Sequence, residues 1–289
     1  MLRRFGLVLA SCVLLVVAAT AAPGVHPALW TVHGRHSTAY LLGSIHVLPP
    51  HLTWRDKRVE RAIKTADTYV FEVSPDADVA KQFIAEKGSL PAGQSLRAML
   101  PPASQADLDA DLASVNVPEA NLDMRRPWLV ELALTTIQIA QSGSSPNSGV
   151  DFLLLAEVRA LGKPVRFFET TQQQMALLAP DDPKLELESF EAFLKDFRAQ
   201  KEELPAMIAA WAAGDVKKLS ELGLGRLADH PAAKKALIDD RNRAWVKKIE
   251  AMLDSESGTF LITVGALHLA GDVGLPSLLR ADGYVVEGP

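Results

Sequence analysis

Apolar and polar positions along the 289-residue chain form dense short runs near its two ends and helical spacing between them. The run Tyr40-Leu41-Leu42-Gly43-Ser44-Ile45-His46-Val47-Leu48-Pro49-Pro50 reads as a buried strand that ends in a histidine and breaks on two prolines. Ala28–Val32 and Thr38–Ile45 predict a hairpin turning at His33-Gly34-Arg35. Val59, Ile63 and Ala66 lie three or four apart, which predicts a helix from Asp56 to Ala66. Tyr69 to Val73 predicts a strand closed by Ser74-Pro75-Asp76, so the opening order is a β-α-β unit.

The middle of the chain carries helical spacing punctuated by proline. Pro101-Pro102, Pro118 and Pro127 bound the helices between 78 and 141, and the last runs from Pro127 to Gln141, with proline in the first turn where its missing N–H costs nothing. Ser142 to Gly149 is a polar loop, after which Asp151 is expected to cap a helix over Phe152 to Leu161 that stops at Gly162. Pro164 to Glu169 predicts a strand, and 171–255 is again helical. The chain closes with a strand at Thr259–Val264, a turn at Gly265-Ala266-Leu267-His268, a helix at Leu275–Ala281 and a strand at Tyr284–Glu287.

The expected fold is therefore α+β. Two similar terminal β-α-β units supply a mixed β-sheet core (28–76, 150–170 and 259–289), and the mainly helical segments 78–141 and 171–255 pack around a cleft. One domain over 22–289 accommodates this, since 48% hydrophobic and 22% charged residues suffice for a sizeable core.

Residues 1–21 change the picture of where the protein works. Arg3-Arg4 precede an apolar run that ends in Ala19-Thr20-Ala21, the pattern of a secretory signal peptide. The run is too short to span a bilayer and no other stretch could, so a secreted or periplasmic protein without a membrane span is expected. Leu9-Ala10-Ser11-Cys12 offers a lipoprotein signal, with a lipid anchor at Cys12, as the minor alternative. Cys12 is the only cysteine, so cleavage after Ala21 excludes disulfides and thiol chemistry. The chain has 30 basic against 35 acidic residues, which argues against nucleic acid as a partner and leaves a peptide or small-molecule substrate.

The two ends echo each other. Gly43-Ser44-Ile45-His46 matches Gly265-Ala266-Leu267-His268, and Ala66-Asp67-Thr68-Tyr69-Val70-Phe71-Glu72 matches Ala281-Asp282-Gly283-Tyr284-Val285-Val286-Glu287. Halves paired in one sheet would bring His46 and His268 to one cleft at the strand C-termini. A glycine three residues before each histidine permits close backbone approach. Two histidines with the strand-end carboxylates Glu72 and Glu169 form a donor set for a divalent ion. Glu72 sits in a buried strand and needs a cation or a proton to be tolerated there. Glu169 is a ligand or base candidate, with a helix cap or an ion pair to Arg166 as its plainer role. Arg241, beside Asn242, lies in the charged stretch Lys234–Lys248 and is either part of a solvated face or an oxyanion stabiliser. His26, His33, His36, His51 and His230 are read as surface residues. No H-E-x-x-H, G-x-S-x-G, Walker or G-x-G-x-x-G motif occurs.

These residues also carry a resemblance. "YLLGSIHVLPP", "YVFEV", "GVDFLLLAEVRALGKPVRFFETTQQQ", "RNRAW" and "FLITVGALHLAGDVGLPSLLRADGYVV" resemble, in order and over nearly all of 22–289, the TraB/GumN family, related to the Tiki metalloproteases. The resemblance implies a metal-dependent hydrolase of peptide bonds using Mn or Co, and the donor types also admit Zn. It makes His46 and His268 metal ligands, Glu72 and Glu169 ligand or base, and Arg241 with Asn242 supporting residues. Glu287 falls outside that family's motifs. The wider similarity to haem-binding and erythromycin-esterase-like proteins supplies two other expectations: a haem- or metal-binding protein without turnover, and a small-molecule hydrolase. The low aromatic content, 6%, leans against haem.

Overall fold

The computed structural model describes residues 24–228 and 230–289; the expected signal peptide, with Cys12, lies outside them. Six strands form one mixed sheet in the order β4-β3-β5-β2-β1-β6. β1 (Leu29–His33) and β2 (Ser37–Ser44) make the expected antiparallel hairpin, closed by the Gly34 N–H bonding Ser37 O at 2.9 Å. β5 (Gly258–Gly265) lies parallel between β2 and β3 (Thr68–Ser74), and β4 (Val165–Thr170) flanks β3 in parallel. β6 (Val285–Glu287) closes the other edge antiparallel to β1.

The central strands are apolar on both faces because helices cover both. On one face Leu42, Phe71 and Leu261 meet Val59, Ala62 and Ile63 of the Lys57–Thr65 helix and Val150, Leu154 and Val158 of the Val150–Ala160 helix. On the other, Leu41, Val70, Ile262 and Val264 meet Trp245, Ile249 and Leu253 of the Asp240–Ser255 helix and Leu275 and Leu279 of the Leu275–Ala281 helix. A separate core of Leu108, Leu112, Leu134, Phe190, Leu194 and Phe197 knits the intervening helices together. Among the described residues no helix is long and apolar enough to cross a membrane.

Connectivity decides where the site falls. From β2 the chain crosses through the Lys57–Thr65 helix on one face and passes β5 to reach β3. From β5 it crosses through the Leu275–Ala281 helix on the opposite face and passes β2 and β1 to reach β6. The two crossovers leave neighbouring parallel strands in opposite directions, so a crevice opens at the C-terminal ends of β2 and β5. Those ends, Ser44 and Gly265, are register partners.

Candidate active site

His46 follows β2 by two residues, and its loop is stitched to the segment that begins the Val150–Ala160 helix. Val150 N–H bonds Ile45 O at 3.1 Å, and Leu48 and Ser145 exchange backbone bonds of 3.3 and 3.0 Å. Gly149 passes so close that a Cβ there would lie 2.3 Å from His46 O. This brings Asp151 Oδ1 to 3.1 Å from His46 Nδ1. The His46 side chain is 57% exposed, yet its neighbours strip enough solvation to disfavour the charged ring. The Asp151 contact and the charges of Asp151 and Glu72 outweigh that, and Arg241 opposes them only in part, so its pKa is raised to about 9.

His268 occupies the 3-10 turn Ala266–Leu269 directly after β5 and is buried. Its Nδ1 lies 2.6 Å from Asn242 Oδ1. The buried Asn242 donates its Nδ2 hydrogens to His268 O at 3.2 Å and Val273 O at 2.7 Å, which leaves Oδ1 as the acceptor and places the ring proton on Nδ1. His268 Nε2 then accepts from Arg241 Nη1 at 3.2 Å. Burial, reinforced by Arg241 and His46 and opposed by Glu72, pushes the His268 pKa down to about 4.

Glu72 is buried at the end of β3. Its Oε2 accepts the Gly265 N–H at 2.9 Å, and its Oε1 accepts from Gln174 Nε2 at 3.1 Å and from Arg241 Nη2. Burial alone would raise its pKa; His268, Arg241, His46 and the Gly265 N–H reverse the direction and hold it below the ordinary value. The cation that a buried Glu72 requires is thus already present, in Arg241.

Every guanidinium N–H of Arg241 is committed. Nε and Nη2 bond the two oxygens of Glu169, each at 2.9 Å, Nη2 also reaches Glu72, and Nη1 bonds Leu237 O at 3.1 Å and His268 Nε2. Leu237 lies in a π-helical turn, Lys235–Asp239, just before Arg241, a local unwinding frequent at functional sites. The Arg241 guanidinium also sits 4.7 Å over the Trp245 ring, Trp245 Nε1 donates to Glu169 Oε1 at 3.0 Å, and the same ring packs 4.4 Å from His268.

The expected residues His46, Glu72, Glu169, Arg241, Asn242 and His268 therefore form one connected cluster. Its floor is Gly265: a Cβ there would stand 3.4 Å from Glu72 Oε2, 3.5 Å from His268 Cδ2 and 3.6 Å from His46 Nε2. A small polar-walled cradle takes the place of that side chain. Gly43 meets the second motif directly, since its own Cβ would lie 2.9 Å from Ala266 Cβ. Among the described residues no group of three or more His, Cys, Asp and Glu side chains stands as a ready-made metal cage.

Other expectations are corrected. Asp151 does not cap its helix, which begins at Val150 with Gly149 as N-cap, because the Asp151 carboxylate turns to His46 instead. Arg166 pairs with Glu256 at 2.7 Å, not with Glu169, and Thr170 caps the helix that follows β4. Glu287 bonds His33 at 3.2 Å on the edge strand, away from the cleft. His26, His33, His36, His51 and His230 are exposed. The sequence marks Asp151 only as a helix cap and gives Gln174 and Trp245 no role in the site; only their nearness to Glu169 and Arg241 in the chain hints at the latter two.

The fold and this cluster define a protein with a histidine and carboxylate site at the switch point of a two-faced mixed sheet. The chain belongs to the TraB/PrgY/gumN family, whose profile matches residues 28–288. It is 26% identical to the uncharacterized protein YbaP of Shigella flexneri, over 85% of this chain and 88% of that one. To YbaP of Escherichia coli K12 it is 25% identical, over 83% and 87%. To the metalloprotease TIKI2 of Danio rerio it is 24% identical, over 90% of this chain and 60% of that one. No solved structure matches it.

Proposed function

We propose that the protein is a metal-dependent hydrolase that cleaves amide bonds of peptides in the periplasm or outside the cell. The location rests on the signal peptide expected at residues 1–21, and the reaction class draws support from the distant similarity to the metalloprotease TIKI2. The observation that carries the reading is the convergence of His46 Nε2, Glu72 Oε2 and the His268 ring on the cradle over Gly265.

Two imidazoles and a carboxylate suit Mn, Co or Zn by donor type, and each histidine has an oxygen at Nδ1, as metal-bound histidines usually do. Arg241 bonds His268 Nε2, so an ion taking that nitrogen as a donor would displace the guanidinium from it, while Glu72 Oε2 is not bonded by Arg241. A bound divalent ion would supply Lewis acidity and lower the pKa of a water.

The chain's own residues supply the rest. Asn242 holds the His268 ring and its tautomer, and Gln174 and Gly265 hold the two oxygens of Glu72. Glu169 grips Arg241 at Nε and Nη2, so the guanidinium stays in the cleft when its other bonds are released and its freed N–H groups face the charge that grows on a substrate carbonyl. Glu169, tied to Arg241 and Trp245, acts as this anchor before it acts as a base.

Metal analysis of the mature protein beside His46→Ala and His268→Ala, followed by peptide-library cleavage with and without chelator, tests the reading. Stoichiometric metal in the wild type, its loss in both variants and chelator-sensitive cleavage are expected. Stoichiometric metal retained when His46→Ala and His268→Ala are combined, or cleavage indifferent to complete metal removal, sinks it.

A further inference from the structure

The structure assigns to Asp151 the role of positioning residue for His46, holding the Nδ1 edge of the imidazole so that Nε2 faces the cleft. Three observations carry this. Asp151 Oδ1 is buried and has no other hydrogen-bond partner among the described residues, and it faces His46 Nδ1 at 3.1 Å in an ion pair not yet aligned as a full hydrogen bond. A buried carboxylate oxygen left without a donor is costly, and the ring N–H is the donor that relieves it. The backbone is built for the meeting: the Ile45–Val150 and Leu48–Ser145 bonds and the side-chain-free Gly149 bring the helix start against the His46 carbonyl. And Asp151 gives up the helix-capping position to make the contact, leaving Gly149 as an N-cap with no side-chain bond.

The chemistry follows from the ring. Neutral imidazole in water prefers its proton on Nε2, which blocks the nitrogen that must face the cradle. An acceptor at Nδ1 moves the proton there and frees the Nε2 lone pair. Asn242 does the same for His268. The two halves thus share a design in which each strand-end histidine is oriented by an oxygen from a helix of the intervening chain. Relevance to metal binding rests on the reading proposed above; the orientation of the ring does not.

Two measurements on full-length mature protein separate these. In metal-free protein, at a pH high enough for neutral imidazole, 15N correlation spectra are expected to show His46 as the Nδ1–H tautomer in the wild type and shifted to Nε2–H in Asp151→Ala. In protein titrated with Co2+, the wild type is expected to show an exchangeable, paramagnetically shifted N–H for each histidine. Asp151→Ala should lose one of these to solvent exchange and bind Co2+ about 10- to 100-fold more weakly. Asp151→Asn, which retains an acceptor oxygen, should fall between the two. A wild type already in the Nε2–H form, or Asp151→Ala with unchanged tautomer and cobalt affinity, overturns the assignment and leaves Asp151 as a helix-start charge. A wild type with the Nδ1–H tautomer but no affinity for Co2+ overturns the metal reading while the positioning role stands.

Discussion

Gly265 donates its backbone N–H to Glu72 Oε2 at 2.9 Å, so the last residue of β5 fixes the carboxylate at the end of β3. The same glycine leaves empty the one point on which Glu72, His46 and His268 converge. Gly265→Ala keeps the N–H bond, and its methyl would meet neighbours at 3.4 to 3.6 Å, ordinary contact distances. The variant is expected to melt near the wild-type temperature while losing most of its metal uptake and cleavage. Unchanged metal affinity, measured by titration, would show that the cradle is not where the ion sits.

Arg241→Gln should behave in the opposite way in a melt. It strips the guanidinium from Glu72 and Glu169, both about one-tenth exposed, and breaking a buried pair from one side costs about 3–5 kcal/mol. The pH dependence carries the sign. In the wild type the Glu72 pKa lies below its ordinary value, so its contribution is complete above the ordinary carboxylate range and is lost as pH falls through the native pKa. Without Arg241, burial is expected to push Glu72 upward instead. The stability lost relative to the wild type should therefore shrink as pH falls from 7 toward 5, as thermal melts of the two proteins side by side across that range would record.

Asp111, on the Pro102–Val115 helix, provides a control among residues that make no contact with the cluster. It is fully buried and bonded to Arg198 at 2.6 Å, and its Oδ2 has no partner among the described residues. Burial outweighs Arg198 and raises its pKa to about 6. A raised carboxylate costs stability in full above about pH 6, and the cost fades as pH falls toward 3.8, the ordinary value. Asp111→Asn should therefore stabilise the protein at pH 7.5, by about 3 kcal/mol for a rise of roughly two units at about 1.4 kcal/mol per pKa unit, and lose that advantage near pH 4. Denaturant titrations at the two pH values decide it.

Gly149→Ala tests the backbone approach beside His46. Its methyl would stand 2.3 Å from His46 O, so the loop or the helix start must move. A loss of about 1–3 kcal/mol is expected from the overpacking, together with a weakened site as Asp151 shifts from His46. A stable variant with intact metal affinity would show that this contact yields cheaply.

Much of the sheet was legible because its signals are local. Pro127 and the apolar run after it marked a helix found over the same residues, Pro127–Gln141, and the Val59, Ile63, Ala66 spacing marked one that Asp56 caps. The Gly-x-x-His pair was legible as a repeat, and its meaning as a shared crevice followed from how α/β crossovers diverge. What escaped was whatever depends on distant partners. Asp151 has the local signature of a cap and is claimed by a histidine in a loop that precedes it by more than a hundred residues. Arg241 lies in a stretch whose charge density reads as solvated; its inward turn depends on Glu72 and Glu169, 169 and 72 positions earlier. No window along the chain contains those pairs.

The place of β5 between β2 and β3 also sets an order of events. The two early strands do not touch; the strand that joins them is made of residues 258–265, after nearly all the intervening helices. A chain interrupted anywhere in that long middle has His46 and Glu72 but neither the second histidine nor the N–H that holds the carboxylate. The cleft is therefore completed late in synthesis, and an unfinished chain carries only half of its chemistry.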